Sequence, residues 1–169
     1  MNEWLDVGLK AFWCGFAALG FGVLFNAPPR TLFAIWTGGF LAGFVKFASL
    51  QAIPGSGVIF CSFIAAVIVG IASIPVAHSR HVPPMIFAIP SVIPLVPGAF
   101  AYRTMLGLMK LTGNMGSEYS QVLSETVHNG VITLFVIMAL SLGVAVPMHI
   151  TAKGSVKKIR WKQGIFSRK

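Results

Sequence analysis

Apolar residues run along this chain in five blocks, and the polar positions fall between them. A membrane-crossing helix needs roughly 20 mostly apolar residues. Stretches of that kind lie at about 5–25, ended by "NAPPR"; 31–50, ended by "QAIPGSG"; 57–77, ended by "HSRHVPP"; 84–109; and 122–149. The polar, glycine-containing segment "KLTGNMGSEYSQ" separates the last two. The pattern predicts an all-α integral membrane fold, a bundle of about five transmembrane helices.

The fourth block differs from the others. It contains "IPSVIPLVPG" at 89–98. Pro90, Pro94 and Pro97 have no N–H, and each leaves a helical carbonyl unbonded one turn back. Irregular backbone at membrane depth is tolerated only where protein or a water-filled cavity surrounds it. The fourth span is therefore expected to be broken, with a half-helix running from about 97 to 109. Gly98 permits close approach of a ligand or a neighbour. Two readings stay open: a packed kink of structural use, or a site where the half-helix N-terminus faces an anionic group.

Small residues predict how the helices pack. Gly8, Ala11, Gly15, Ala18 and Gly22 form one seam on the first helix. Gly39 and Gly43 do so on the second, Ser62, Ala66, Gly70, Ser73 and Ala77 on the third, and Ala139 and Gly143 on the fifth. Such seams let backbones approach closely in lipid, where apolar attraction between helices is weak. They support a tight bundle or a helical partner and name no activity.

Composition agrees with the membrane reading. The 169 residues are 56% hydrophobic and 10% charged, against about 25% charged in a soluble domain. Four acids, Glu3, Asp6, Glu118 and Glu125, cannot cover a water-facing surface. The net charge of +9 does not mark a nucleic-acid binder, because seven of the 13 Lys and Arg fall within 153–169, after a long apolar block. Two regions follow: a transmembrane module, 1–152, and a basic tail, 153–169, expected to be cytoplasmic. Trp161 and Phe166 are its expected interfacial anchors, with anionic lipid as a secondary partner. With the tail inside, the loops holding Arg30 and Arg80 are inside, and the loops at 51–56 and 110–121 and the acidic start "MNEWLD" are outside. That start lacks the basic region of a cleaved signal peptide, so the first block is expected to stay. A four-span arrangement with a re-entrant 84–109 explains Arg30 and Arg80 less well. Cys14 and Cys61, both inside apolar blocks, read as buried small hydrophobes.

Few ionisable groups lie within the blocks, where they are costly and often functional. Asp6 and Lys10, four apart, read as a pair near the interface. Lys46 shares a face with Gly39 and Gly43, and is expected to snorkel to the headgroups, with a pore role as the alternative. Glu125, His128 and Asn129 occupy one face at the entry to the fifth helix. Glu125 and His128 can carry a proton between pH 5 and 8, or can simply mark an interfacial first turn. Asn26 and Arg30 flank Pro28–Pro29 in "FNAPPR". Arg30 marks the inner face or guides an anion. Arg103, five residues after Gly98, is expected inside the fourth span, where a guanidinium needs a partner, water or a carboxylate. His78 and His81 fit a loop. No paired acids, CxxC, HExxH or P-loop are present. An enzyme is disfavoured, and neither a metal nor a cofactor is expected.

"SVIPLVPGAFAYRTM" resembles the proline-glycine-tyrosine signature of the threonine/serine exporter (ThrE-like) family. "LFNAPPRTL" resembles the stretch that follows the first helix of that family's module. The matching positions are Phe25, Asn26, Pro28, Arg30, Ile93, Pro94, Pro97, Gly98, Ala101 and Tyr102, and the resemblance covers about 5–150. It is nearest to the small subunit of the family's split, two-protein form; the basic tail and the Pro28–Pro29 doublet lie outside it. The resemblance implies a bacterial inner-membrane exporter driven by the proton gradient, working with a larger partner subunit that carries the other transmembrane module. It implies small carboxylate-bearing substrates, threonine/serine or a succinate-like dicarboxylate. Asn26, Arg30, Pro94, Pro97, Gly98, Tyr102 and Arg103 are then expected along the substrate path, with Glu125 and His128 for proton coupling. A non-catalytic scaffold subunit is the alternative.

Overall fold

The computed structural model describes residues 3–53, 55, 57–113 and 119–166, with side chains as far as Thr151. Glu118 and the side chains of Trp161 and Phe166 lie outside the described residues. The described chain is helical, and strands are absent from it. Its elements are α1 (Glu3–Leu24), α2 (Pro29–Ala52), α3 (Val58–Arg80), α4 (Met85–Val92), a single 3₁₀ turn (Ile93–Leu95), α5 (Gly98–Leu111) and α6 (Tyr119–Phe166). The expected span boundaries agree closely, except that α6 continues through most of the basic tail, to Phe166.

Proline and a left-handed residue set the first helix boundary. Asn26 has φ 55°, its N–H bonds the Val23 carbonyl at 3.0 Å, and the Ala27 N–H bonds Gly22 at 2.9 Å. This pair of bonds is the Schellman stop, with asparagine in the position glycine usually fills. Pro29 then begins α2, where its missing N–H costs nothing. His81 ends α3 in the same left-handed conformation, with φ 55°.

The small-residue seams are where the helices meet. Ala11, Gly15, Ala18 and Gly22 of α1 are buried. The seam begins at Val7 rather than Gly8: Val7 is buried, while a side chain at Gly8 would meet nothing within 4 Å. A side chain at Gly39 would come within 3.0 Å of the Cys14 carbonyl, and one at Gly43 within 3.1 Å of the Ala11 Cα. A side chain at Gly143 would reach the Ala66 Cβ at 2.7 Å, and one at Gly70 the Gly143 carbonyl at 3.1 Å. These approaches bring backbones together, which is the packing that lipid leaves available.

The same contacts fix direction. Gly22 meets Ile35 and Gly43 meets Ala11, so α1 and α2 are antiparallel. Ala66 and Gly70 meet Gly143 and Pro147 in ascending order, so α3 and α6 are parallel. Ser91 reaches the Ile35 carbonyl and Lys46 reaches Leu95, so α4 runs with α2. Gly107 abuts Thr126 and Gly130 abuts Thr104, so α5 runs against α6. Hence α4 and α5 travel the same way, opposite to α3 and α6. They meet at a bend of 58°. This is a broken crossing, not a loop that returns to its own side. Together with the four helices long and apolar enough to cross a membrane, α1, α2, α3 and α6, it makes a five-span bundle.

Candidate functional site

The break lies near the middle of the bundle. Leu95 shares a buried cluster with Ala42, in the middle of α2, and with Leu140. Three prolines do three different things there. Pro90 is buried within α4, which continues past it. Pro94 is the second residue of the 3₁₀ turn, in its first turn, where no N–H is needed. Pro97 makes the break. Its φ of −80° and ψ of 68°, with a Gly98 N–H···O Val96 bond of 2.9 Å, form an inverse γ-turn. The N–H groups of Phe100 and Ala101 both bond the Pro97 carbonyl at 3.1 Å. Three donors at the start of α5 are therefore already engaged with backbone.

Ending the helix at Leu95 frees its carbonyl, and Lys46 takes it. The Lys46 Nζ donates to the Leu95 oxygen at 2.7 Å. The side chain is 7% exposed and lies within electrostatic reach of Cys14 on α1 and Cys61 on α3. The expectation that Lys46 snorkels to headgroups is thus corrected. A helical side chain leans toward the N-terminus of its own helix, which here is the bundle interior, and the break offers it an acceptor. Beside Cys61, the Ser62 hydroxyl is buried without a hydrogen-bond partner among the described residues, a position where buried water is usual.

One side of the broken span is packed and the other is open. Phe87, Ala88, Ser91, Leu95 and Pro97 face inward and are buried. Met85, Ile89, Val96 and Gly98 are exposed along the opposite side. A cleft of about 330 Å³ follows this open side between α4 and α6, past Ile89, Ile93, Val96, Ile137 and Ser141. A second, about 250 Å³, joins Met85 and Ile89 to Asn26. A side chain added at Gly98 would meet nothing within 4 Å.

The remaining candidates lie at the two ends. Asn26 and Arg30 are exposed at the end where α1 gives way to α2. Arg103 is on α5, the second half of the broken span, and is exposed rather than packed within the bundle. Thr104 stands beside Gly130, about five residues beyond the level at which α3 begins. Because the chain breaks at mid-depth, α5 has left the α1–α4 bundle by residue 103. Tyr102 and Arg103 are exposed, as are Glu125 and His128 on α6, and Glu125 accepts a bond from Gln121 at 3.2 Å. Gly107 is the sole buried residue of α5 among those described. The path candidates thus do not converge on one pocket. Lys10, expected to pair with Asp6, stands over the Phe47 ring, 5.7 Å from its centroid. Sequence reasoning missed the Lys46–Leu95 bond. Its signal was a lysine on a glycine face, opposite a proline-rich segment that had to leave carbonyls free.

Five crossings, one interrupted at mid-depth with a buried cation on the freed carbonyl, define a class: a multi-pass membrane protein with a discontinuous helix. The family described as Threonine/Serine exporter, ThrE, matches residues 10–150, and the chain belongs to it. The chain is also similar to an uncharacterized protein of Haemophilus influenzae, at 23% identity over 168 residues, covering 86% of this chain and 51% of that protein. The chain therefore spans about half the length of the curated relative it matches. No solved structure matches it.

Proposed function

We propose that the chain is one transmembrane module of a bacterial inner-membrane exporter for small carboxylate-bearing metabolites, threonine/serine or a succinate-like dicarboxylate. The observation that carries this reading is the open flank of the broken span, uncovered from Met85 through Val96 to Met109. Its clefts are lined mostly by apolar groups, with Ser141 and Asn26 as exceptions, so a carboxylate passing there needs further polar groups from another wall. A larger partner subunit with the second module supplies that wall. Asn26 and Arg30 stand at one mouth, Pro94, Pro97 and Gly98 at the constriction, and Tyr102 and Arg103 at the other mouth. Glu125 and His128 exchange the coupling proton. Arg30 and Arg80 occupy one end of the bundle, and Glu3, Asp6 and Glu125 the other. The positive-inside rule makes the arginine end, with the C-terminus, cytoplasmic.

Efflux of threonine and of succinate from loaded vesicles, with and without the larger subunit, tests this. Gly98→Leu is a suitable probe, because Gly98 is exposed and an added Cβ would meet nothing within 4 Å. Gly98→Leu and Arg103→Gln are each expected to lower efflux about tenfold or more, the scale for a misplaced or unpaired polar group in a substrate path. Unchanged efflux in both overturns the site.

A second reading is a non-catalytic scaffold, with the path wholly in the partner. It is favoured by the engaged N–H groups at the start of α5. Cysteine accessibility along 90–103 in the assembled complex separates the two: dry and unreactive for a scaffold, reactive on one flank for a path.

A further inference from the structure

We propose that Lys46 is a proton-binding site that holds the break in the fourth span when charged and lets it go when neutral. The inference rests on the exporter reading for its purpose, but not for its test.

The geometry is specific. Lys46 is on α2, its Nζ is 2.7 Å from the Leu95 carbonyl, and the residue is buried at the middle of the bundle. An ammonium has three donors, and Leu95 is the one acceptor it bonds among the described residues. The titratable groups that face it are Cys14 from α1 and Cys61 from α3, neither of them in a disulfide. No carboxylate is among them. A buried cation with a single neutral acceptor is costly, so its two protonation states lie close enough in free energy for the surroundings to choose between them. Charged, it makes a strong, charge-assisted bond to the carbonyl. Neutral, it makes an ordinary one.

What Lys46 grips makes this consequential. Leu95 ends the 3₁₀ turn, and Val96, next to it, lines the open cleft. Beyond Pro97 the chain is held by one γ-turn bond and by α6. Lys46 does not face the cleft. It acts on the path through the backbone, as a positioning residue. Loss of its proton to water entering at the break weakens the hold on Leu95, and α5 is then free to swing about Val96–Pro97. Proton binding restores it. Glu125 and His128 are exposed on α6 and do not touch this device.

The test uses membranes containing the assembled complex and a Val96→Cys substitution. The rate at which an impermeant thiol reagent modifies it is divided by the rate at an exposed reference, Thr112→Cys, to remove the ionisation of the thiol itself. As the pH is raised from about 6 to about 9, the ratio is expected to rise. The size should match the 5- to 150-fold of ordinary linked equilibria. Lys46→Arg keeps the charge and the bond but does not deprotonate, so its ratio stays low and flat. Lys46→Met keeps the volume and loses the bond, so its ratio stays high and flat. Both lose efflux driven by a pH gradient. A wild-type ratio that does not move with pH overturns the proposal, as does either variant following the wild-type curve. If the ratios behave as expected while no carboxylate is exported, the latch stands and the exporter reading falls.

Discussion

At the scale of single residues, the chain spends its unusual chemistry on helix ends and close approaches. Asn26 is the clearest case. It matches a family position, yet its left-handed φ of 55° and the two Schellman bonds give it a purely local task. If stopping α1 is its whole role, Asn26→Gly leaves efflux and stability within about 0.5 kcal/mol, and Asn26→Ala costs about 1 kcal/mol from the left-handed strain. Efflux lost in Asn26→Gly with stability intact assigns it to the path instead. Gly39 allows no such freedom. A side chain there runs into the Cys14 carbonyl and the Gly15 Cα, so Gly39→Val is expected to cost about 1–3 kcal/mol by overpacking. A lowered unfolding midpoint in detergent checks this.

At the scale of elements, the three prolines of the fourth span are not equivalent. α4 passes through Pro90, Pro94 lies within the 3₁₀ turn, and the bend follows from Pro97. Pro90→Ala is therefore expected to keep efflux within about twofold, whereas Pro97→Ala relaxes the γ-turn and lowers it about tenfold, the order of a misaligned transport element. Equal effects at both positions would contradict this division. The existence of the break was legible in the sequence, because three missing N–H groups in ten apolar residues leave no regular alternative. Its place was less so. A proline early in a helix does little, and only the surrounding helices decide which of three prolines ends one. The grip of Lys46 was invisible for a related reason: a helix face is readable from spacing, but whether a long side chain turns inward or to the headgroups depends on an acceptor 49 residues away in sequence.

At the scale of the whole molecule, four helices are long and apolar enough to cross a membrane, and the bent α4–α5 pair brings the candidate spans to as many as five. The expected spans were legible almost to the residue, since apolar blocks and their polar breaks are set by bilayer thickness. The outward reach of α5 and α6 was not. Taking Gly143 as level with Ala66, the first 16 or so residues of α6 extend past the start of α3 by about 24 Å. That placement puts Arg103, with Glu125 and His128 at the entry to α6, beyond the level at which α3 begins. The proposed sidedness, with the Arg30 and Arg80 end cytoplasmic, rests on the positive-inside rule. An impermeant reagent applied to intact cells is expected to label Thr112→Cys and not Ser79→Cys, and the reverse pattern would invert the orientation.

The account centres on the open flank of the broken span as the wall of a substrate path closed by a second module. Its most direct measurement is a cysteine scan from Met85 to Met109 in the assembled complex, with and without threonine or succinate. Reactivity is predicted at Ile89, Val96 and Tyr102, with protection by substrate, while positions on the packed side such as Phe87 and Leu95 stay silent. A flank that is unreactive throughout, or reactive but indifferent to both substrates, would contradict it.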